Sequence, residues 1–185
     1  TASPIRDGKG RVTGGVLVFH DVSEARELNR RLSYHASHDI LTGLVNRPEF
    51  EQRLGRALKS AEARETNYAL LYLDLDQFKI VNDSCGHRAG DDLLGQLGLL
   101  LKSKIRWRDT LTRLGGDEFG VLLESCNLDE AIETAESLRK AISEFTFNWE
   151  DRPFNLTVSI GVVPITAANQ DVAALLTAAD SAAQA

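Results

Sequence analysis

The sequence predicts an α+β fold, a β-sheet layered with helices, and three observations carry that expectation. Residues Tyr68–Asp76 include an uninterrupted apolar run from Ala69 to Leu73, as for a strand covered on both faces. Two further apolar runs, 110–114 and 119–123, flank Gly115, Gly116, Asp117 and Glu118, the pattern of a β-hairpin with an acidic tip. Segments with apolar residues at helical spacing lie between these strands, so hairpin neighbours are mixed with crossover helices.

Composition narrows the possible functions. The chain has 185 residues, 43% of them hydrophobic and 26% charged, enough for one globular domain with a substantial core plus a short extension. Its formal charge is −6 and no run of lysine or arginine tracks a phosphate backbone, which argues against a nucleic-acid polymer as ligand. A small anionic ligand at an acidic site needs a cation between them. Cys85 and Cys126 have no metal or redox spacing and are too few for a disulfide framework, which fits a reducing, cytoplasmic setting. With no signal peptide and no apolar run of about 18 residues, no membrane contact is expected from this stretch, though a longer parent protein can be membrane-anchored. Abrupt ends point to a piece of something longer.

Taken in order, residues 1–21 hold a turn at Asp7, Gly8, Lys9 and Gly10 and a strand at 16–19. A lone hairpin is marginally stable in water, so it is expected to belong to a domain cut off upstream. The segment resembles the closing strands of a PAS sensor domain, through Asp7-Gly-Lys-Gly-Arg11, the strand, and the Asp21-Val22-Ser23-Glu24 that follows. From Ser23 to about residue 37 the pattern is helical, with Ser23 as N-cap and Ala25, Leu28, Leu32 and His35 on one narrow stripe. That helix is either a solvated connector or one that pairs with a copy of itself. A turn at Thr42 and Gly43 precedes a helix that starts at Asn46 and Pro48, buries Phe50, Leu54, Leu58 and Ala61, and ends near Arg64. After the strand Tyr68–Asp76, residues 77–91 form a polar, partly helical connection. A helix striped by Leu93, Leu94, Leu97, Leu100, Leu101 and Ile105 follows. Gly95 and Gly98 inside it cost about 1 kcal/mol each relative to Ala, which predicts close packing there.

Beyond the hairpin, Asn127 with Glu130 caps a third helix whose buried face is expected at Ile132, Ala135, Leu138 and Ile142. A strand at 154–163 and an Ala-rich helix at 171–185, without a closing cap, complete the chain. There is no internal repeat.

Two acidic positions stand out, Asp74-Leu75-Asp76 at a strand end and Asp117-Glu118 at the hairpin tip. With a period of two, Asp74 and Asp76 point to the same side. If the two strands are neighbours, two or three carboxylates converge at one sheet edge. Hard oxygen donors without His or Cys suit Mg2+ or Mn2+, completed by substrate phosphates. Otherwise the strand-end carboxylates face water.

The motifs Asp39-x-Leu41-Thr42-Gly43-Leu44-x-Asn46-Arg47, then Asp74-x-Asp76-x-Phe78-Lys79-x-x-Asn82-Asp83-x-x-Gly86-His87-x-x-Gly90-Asp91, then Arg113-x-Gly115-Gly116-Asp117-Glu118-Phe119 together resemble the GGDEF family, the diguanylate cyclases. The resemblance covers about residues 34–180. It implies a nucleotidyl-cyclase-like, ferredoxin-related fold with a central, mainly antiparallel sheet flanked by helices. It also implies an activity: two GTP joined into cyclic di-GMP with release of pyrophosphate, using divalent metal and a homodimer with one GTP on each half.

Carried onto this sequence, it implies that Asp74, Asp117 and the Leu75 carbonyl ligate the metal. Glu118 is the implied proton acceptor for the attacking 3′-hydroxyl, with Asp117 also considered. Asn82 and Asp91 read the guanine edge with His87 close by, an amide and a carboxylate matching guanine's acceptor and donors. The backbone near Phe78, the Lys79 ammonium, Gly116 and Arg113 complete the substrate site. Asp76 is not a principal ligand in the family. Arg106-x-x-Asp109, five residues before the glycines, matches the family's inhibitory product site, with Arg106 gripping a phosphate of cyclic di-GMP. Elsewhere such a pair is a surface ion pair. His20, His35 and His38 read as surface or connector residues, and the cysteines as packing.

The implied organisation is the end of a PAS-like sensor domain at 1–21, a signalling helix at 22–37 and a GGDEF domain at 38–185, truncated at its C-terminus. Family members continue past the Ala179-Asp180 pair into a lysine and a Gly-Arg-Asn segment that bind the triphosphate, whereas this sequence stops at Ala185. The alternative is a catalytically silent module that binds GTP or cyclic di-GMP. The intact Asp74, Asp117 and Glu118 argue against it.

Overall fold

The computed structural model describes residues 2–17, 21, 23–63, 66–168 and 171–185. The chain divides into two compact units, Thr1–Tyr34 and His35–Ala185.

In the first unit, β1 (Ala2–Arg6) and β2 (Val12–Leu17) pair antiparallel with Ala2 opposite Leu17. Asp7 fixes the turn, because its Oδ1 accepts from the backbone amides of Lys9 and Arg11, each at 2.9 Å. These bonds, that of the Arg11 amide foremost, hold the Asp7 carboxyl below its usual range. The strand expected at 16–19 is thus the end of one that begins at Val12, and residues 18–20, His20 among them, lie outside the described residues. Helix α1 (Ser23–Ser37) matches the expected span. Ser23 is its first helical residue rather than the residue before the helix, and residue 22 lies outside the described residues.

The second unit is built on a four-stranded sheet. Its strands are β3 (Tyr68–Asp76), β4 (Thr110–Gly115), β5 (Glu118–Glu124) and, last in sequence, β8 (Thr157–Ile165). Their order is β4-β5-β3-β8 and every pairing is antiparallel. β3 is one of the two inner strands, and its alternation splits the core in two. Leu71, Leu73 and Leu75 join Leu93, Leu97, Phe119 and Leu138, whereas Leu70 and Tyr72 join Phe50, Leu54, Leu122 and Leu175. The first group is closed by α3 (Phe78–Cys85), α4 (His87–Lys104) and α5 (Leu128–Ser143). The second is closed by α2 (Arg47–Glu62) and α6 (Val172–Ala183). Two-sided burial explains the apolar run that marked this strand.

Local signals account for most helix boundaries. Asn46 Oδ1 accepts from the Glu49 amide at 3.1 Å and Pro48 occupies the first turn, which starts α2 as expected. The helix stops at Glu62, before Arg64, and Arg64 lies outside the described residues. Gly86, at φ 83°, separates α3 from α4 and resolves the polar connection into two helices. Asn127 and Glu130 form the expected capping box of α5. The buried face of α5 differs at one position, however. Ala135, Leu138 and Ile142 are buried as expected, together with Ala131 and Ala141, while Ile132 is 50% exposed because it falls at the margin of that face.

Three further expectations are corrected. The strand expected at 154–163 is two strands broken at Leu156, since β7 (Arg152–Asn155) pairs with β6 (Thr146–Trp149) and β8 begins at Thr157. Gly98 packs as expected, a Cβ there meeting Leu44 at 3.4 Å and Thr42 at 3.5 Å, but Gly95 faces open space. Helix α6 starts under an Asp171 cap, whose Oδ1 accepts from the Ala174 amide at 2.7 Å, and ends at Ala183 with Gln184 as C-cap. Cys126 is buried and Cys85 half-buried, both free thiols in packing positions. Among the described residues no helix is long and apolar enough to cross a membrane.

The turn before α2 ties distant parts together. Asp39 Oδ1 accepts from the Thr42 amide at 2.9 Å and hydroxyl at 2.7 Å, and its other oxygen meets Arg113 at 3.3 Å. Burial acts against the charge, but the Thr42 and Arg113 contacts win and hold the Asp39 carboxyl below its usual range. Asn46 Nδ2 donates to the Ala36 carbonyl at 3.0 Å, and Thr112 Oγ1 donates to the Val45 carbonyl at 2.7 Å.

Candidate active site at the edge of the central sheet

The register of β3 against β5 decides whether the acidic positions meet. Asp74 lies opposite Glu118, and the Leu75 amide donates to the Asp117 carbonyl at 3.4 Å. Asp74, Asp117 and Glu118 therefore gather where β3 ends and the hairpin turns. Burial pushes the Asp74 carboxyl above its usual range, and the charges of Asp117, Glu118, Asp76 and Asp180 push it further. The Asp180 contribution comes from α6, which no local pattern in the sequence links to the hairpin. Asp76 points to the same side but is engaged across β8, accepting from Thr157 Oγ1 at 2.6 Å and Ser159 Oγ at 3.0 Å.

The donor set fits a hard divalent cation. It is all oxygen and carries mutually repelling carboxylates that a cation would relieve. Among the described residues no three His, Cys, Asp or Glu side chains are grouped so as to hold a metal ion by themselves, so phosphates and water would have to supply the rest of a shell around a cation at Asp74 and Asp117.

The tip is held from behind. Gly115 and Gly116 adopt φ of 153° and 52°, conformations costly for residues with a Cβ. Arg113 folds over them, donating from Nε and Nη2 to the Gly116 carbonyl at 3.0 and 2.8 Å, while its Nη1 meets Asp39. Arg113 and Gly116, implied by resemblance to be in the substrate site, are here bonded to each other.

Next to the acidic edge, Gln77 in a left-handed conformation (φ 63°) turns the chain from β3 into α3. The first amides of that helix, at Phe78 and Lys79, have no partner within it, as at any helix start, and suit phosphate oxygens. One turn on, the Asn82 Oδ1 atom is buried without a hydrogen-bond partner. Gly90 of α4 leaves room for it, since a Cβ at Gly90 would collide with that oxygen and come within 3.0 Å of the Phe78 ring. An unpaired buried amide oxygen costs about 1–3 kcal/mol, so it marks a position waiting for a donor. Asp91 follows Gly90 and opens onto a cleft of about 490 Å3 lined by Leu41, Thr42, Asp92, Gly95, Gln96 and Leu99. His87 is exposed in the first turn of α4. Leu41 and Gly95 in the cleft lining carry no signal in the sequence, where Gly95 reads as a packing position instead.

The Arg106-x-x-Asp109 loop forms a self-closed turn. Asp109 Oδ2 accepts from the Arg106 amide at 3.1 Å and Oδ1 from the Glu124 amide at 3.2 Å. The carboxylate thus braces the loop against β5, and Arg106 is exposed with Trp107 beside it, 97% exposed. A cavity of about 220 Å3 lies beneath, lined among others by His38, Arg53, Lys102 and Leu111.

Comparison with known proteins gives a consistent result. The sequence pattern of the family described as "Diguanylate cyclase, GGDEF domain" matches residues 36–185. The chain is 43% identical over 180 residues to the probable diguanylate cyclase DgcE of Escherichia coli (strain K12), covering 97% of this chain and 16% of that protein. Among solved structures, the coiled coil and GGDEF domain of DgcB from Caulobacter crescentus, in complex with c-di-GMP, superposes with a TM-score of 0.81 at 26% identity, over 89% of this chain and 87% of that one. The diguanylate cyclase SiaD of Pseudomonas aeruginosa, in complex with its activator SiaC, gives a TM-score of 0.77 at 30% identity, over 87% of this chain and 62% of that one. The chain spans between 16% and 42% of the length of the curated relatives it matches.

Proposed function

We propose, from the premise that the chain belongs to the diguanylate cyclase GGDEF-domain family, that it catalyses condensation of two GTP into cyclic di-GMP with release of pyrophosphate. The observation that carries this is the pairing of Asp74 with Glu118 across β3 and β5, with Asp117 at the turn between β4 and β5. The family's structures and the E. coli relative support the nucleotide chemistry.

In this reading Asp74, Asp117 and the Leu75 carbonyl hold Mg2+ or Mn2+. When bound, the cation neutralises the triphosphate and makes the α-phosphorus more electrophilic. Asn82 and Asp91 take the guanine edge, with His87 at the rim, and the buried Asn82 Oδ1 gains the donor it lacks. The first amides of α3 at Phe78 and the Lys79 ammonium hold phosphate oxygens. Glu118 accepts the proton of the 3′-hydroxyl as that oxygen bonds to the α-phosphorus of the facing GTP. The bond to pyrophosphate breaks, and a second such step closes the ring. Each half presents one GTP, so the reaction needs a homodimer, whose proximity lowers the barrier. Residues 22–37 carry a signal from a PAS-like sensor at 1–21 to the cyclase at 38–185, in the cytoplasm.

The test is incubation of the protein, extended past Ala185, with GTP and Mg2+ and separation of the nucleotide products. Cyclic di-GMP and pyrophosphate are expected, and a folded dimer that yields neither overturns the proposal.

Product is expected to bind at Arg106 and Asp109, where Asp109 sets the loop and Arg106 supplies the planar donor pair for a phosphate. Arg106→Ala should weaken product binding by about 10–100-fold, the cost of a charge-assisted hydrogen-bonded pair of roughly 1.5–3 kcal/mol. Initial rates without product should stay unchanged. Product titration by calorimetry checks this, and undiminished affinity in Arg106→Ala rules the site out.

A further inference from the structure

Tyr72 lies two residues before Asp74 on β3, and so on the same face. It is 7% exposed, among Phe50, Leu54, Leu114 and Leu176. A phenylalanine would fill that cluster equally well, so packing does not explain the hydroxyl. Its neighbours across both adjacent strands are glycines, Gly120 on β5 and Gly161 on β8. A Cβ at Gly120 would come within 3.1 Å of the Phe50 ring, and one at Gly161 would strike the Ala179 carbonyl. The glycines thus let α2 and α6 close directly over the sheet on either side of Tyr72, which brings Arg47 and Asp180 to the hydroxyl. A pocket of about 110 Å3 forms there, lined by Arg47, Tyr72, Leu114, Leu176, Thr177 and Asp180.

Glu118 stands opposite Asp74 and so diagonally across from Tyr72 on the same face of the sheet, which places its carboxylate within reach of the Tyr72 hydroxyl as a hydrogen-bond partner. A buried tyrosine oxygen needs such a partner, and Glu118 gains as much from the bond. A glutamate at a strand end is free at three torsions, and fixing it costs up to about 2 kcal/mol in rotamer entropy. One donor from a rigid strand orders the carboxylate before substrate arrives. The carboxylate has two oxygens, so a bond to one leaves the other for a substrate hydroxyl. Arg47, bonded to Glu51 at 2.8 Å, presents a cation to Tyr72 and Glu118 from the α2 side, and Asp180 presents an acidic charge to Tyr72 from α6.

We propose that Tyr72 is a positioning residue for Glu118, holding its carboxylate in the orientation that accepts the 3′-hydroxyl proton. The inference rests on the assignment of Glu118 as proton acceptor. Tyr72→Phe, in the full-length protein with GTP and Mg2+, keeps the ring and removes only the hydroxyl. The expected result is a kcat lowered by about tenfold, within the penalty for a misplaced reacting group. KM for GTP and the dissociation constant for 3′-deoxy-GTP, which binds but cannot attack, should stay within about twofold. A merely structural role would move binding together with kcat. A wild-type kcat in Tyr72→Phe, or a loss confined to KM and 3′-deoxy-GTP binding, overturns the positioning role and leaves Glu118 in place. A wild-type kcat in Glu118→Gln overturns instead the assignment beneath it.

Discussion

Asp74→Asn should abolish nucleotide turnover and, in the same protein, raise the melting temperature measured without metal. Losing one carboxylate of an acidic metal site removes several kcal/mol of charge stabilisation from the transition state, which is a fall on the order of 10³-fold in kcat. The stability effect has the opposite sign. Burial, and after it the charges of Asp117, Glu118, Asp76 and Asp180, raise the Asp74 pKa in the folded state. For an acid with a raised folded-state pKa, the ionised form is disfavoured by folding. The penalty is absent below the unfolded-state value, grows as pH rises towards the folded-state value, and is complete above it.

Asn in that place carries no such penalty. At pH 7 in EDTA the variant should therefore melt higher, by about 2–4 °C for each kcal/mol in a chain of this size. The gap should close as pH falls below about 4, near the unfolded-state value. Added Mg2+ should reverse the order, because only the wild type gains binding free energy. Calorimetric scans with and without EDTA at two pH values decide the matter. A variant that melts lower than wild type in EDTA at pH 7 contradicts the account of a strained acidic cluster.

Gly161→Ala should be the most damaging single-methyl change in the second unit. The added Cβ would be driven into the Ala179 carbonyl and to 2.7 Å from the Ala183 amide, both backbone atoms of α6. Backbone cannot rotate away as a side chain can, so the helix must lift from β8. Overpacking of this kind costs about 3 kcal/mol, a drop of roughly 6–12 °C in melting temperature. Gly95→Ala is the matched control, since its Cβ meets nothing within 4 Å and it should stabilise α4 by up to about 1 kcal/mol. Thermal melts of the two variants side by side give opposite signs, and a Gly161→Ala protein that melts with the wild type refutes the close approach of α6.

The parts legible in the sequence were those written in neighbouring residues. The strand β3 could be read because both its faces are buried, and α2 and α5 because Asn46 and Asn127 cap them locally. The hairpin β6–β7 could not, because its turn places Glu150 and Asp151 at φ of 46° and 64°, a conformation usually signalled by Asn or Gly. Ile132 is exposed although its type signals burial, because the small Ala131 takes the inward position at that turn of α5. Within the site, Asp74 and Glu118 each stood out, but their pairing depends on which strands are adjacent, and that is a property of the whole sheet. Tyr72 gave no signal for the same reason, lying within an apolar run, and Asp180 was legible only as part of the Ala179-Asp180 pair, with nothing nearby to link it to the hairpin.

The inner position of β3 also has a history in time. Tyr68 pairs with Glu124 on one side and with Ile165 on the other, so the strand leaves the ribosome long before its second partner exists. At 5–20 residues per second that interval is about 5–20 s, during which this largely apolar strand keeps one edge unsatisfied. Asp74 and Asp76 end this segment with two charges of one sign, the arrangement that discourages such a strand from pairing with another nascent chain. The carboxylates gathered at the acidic edge of the finished sheet thus also act as gatekeepers for the half-made one.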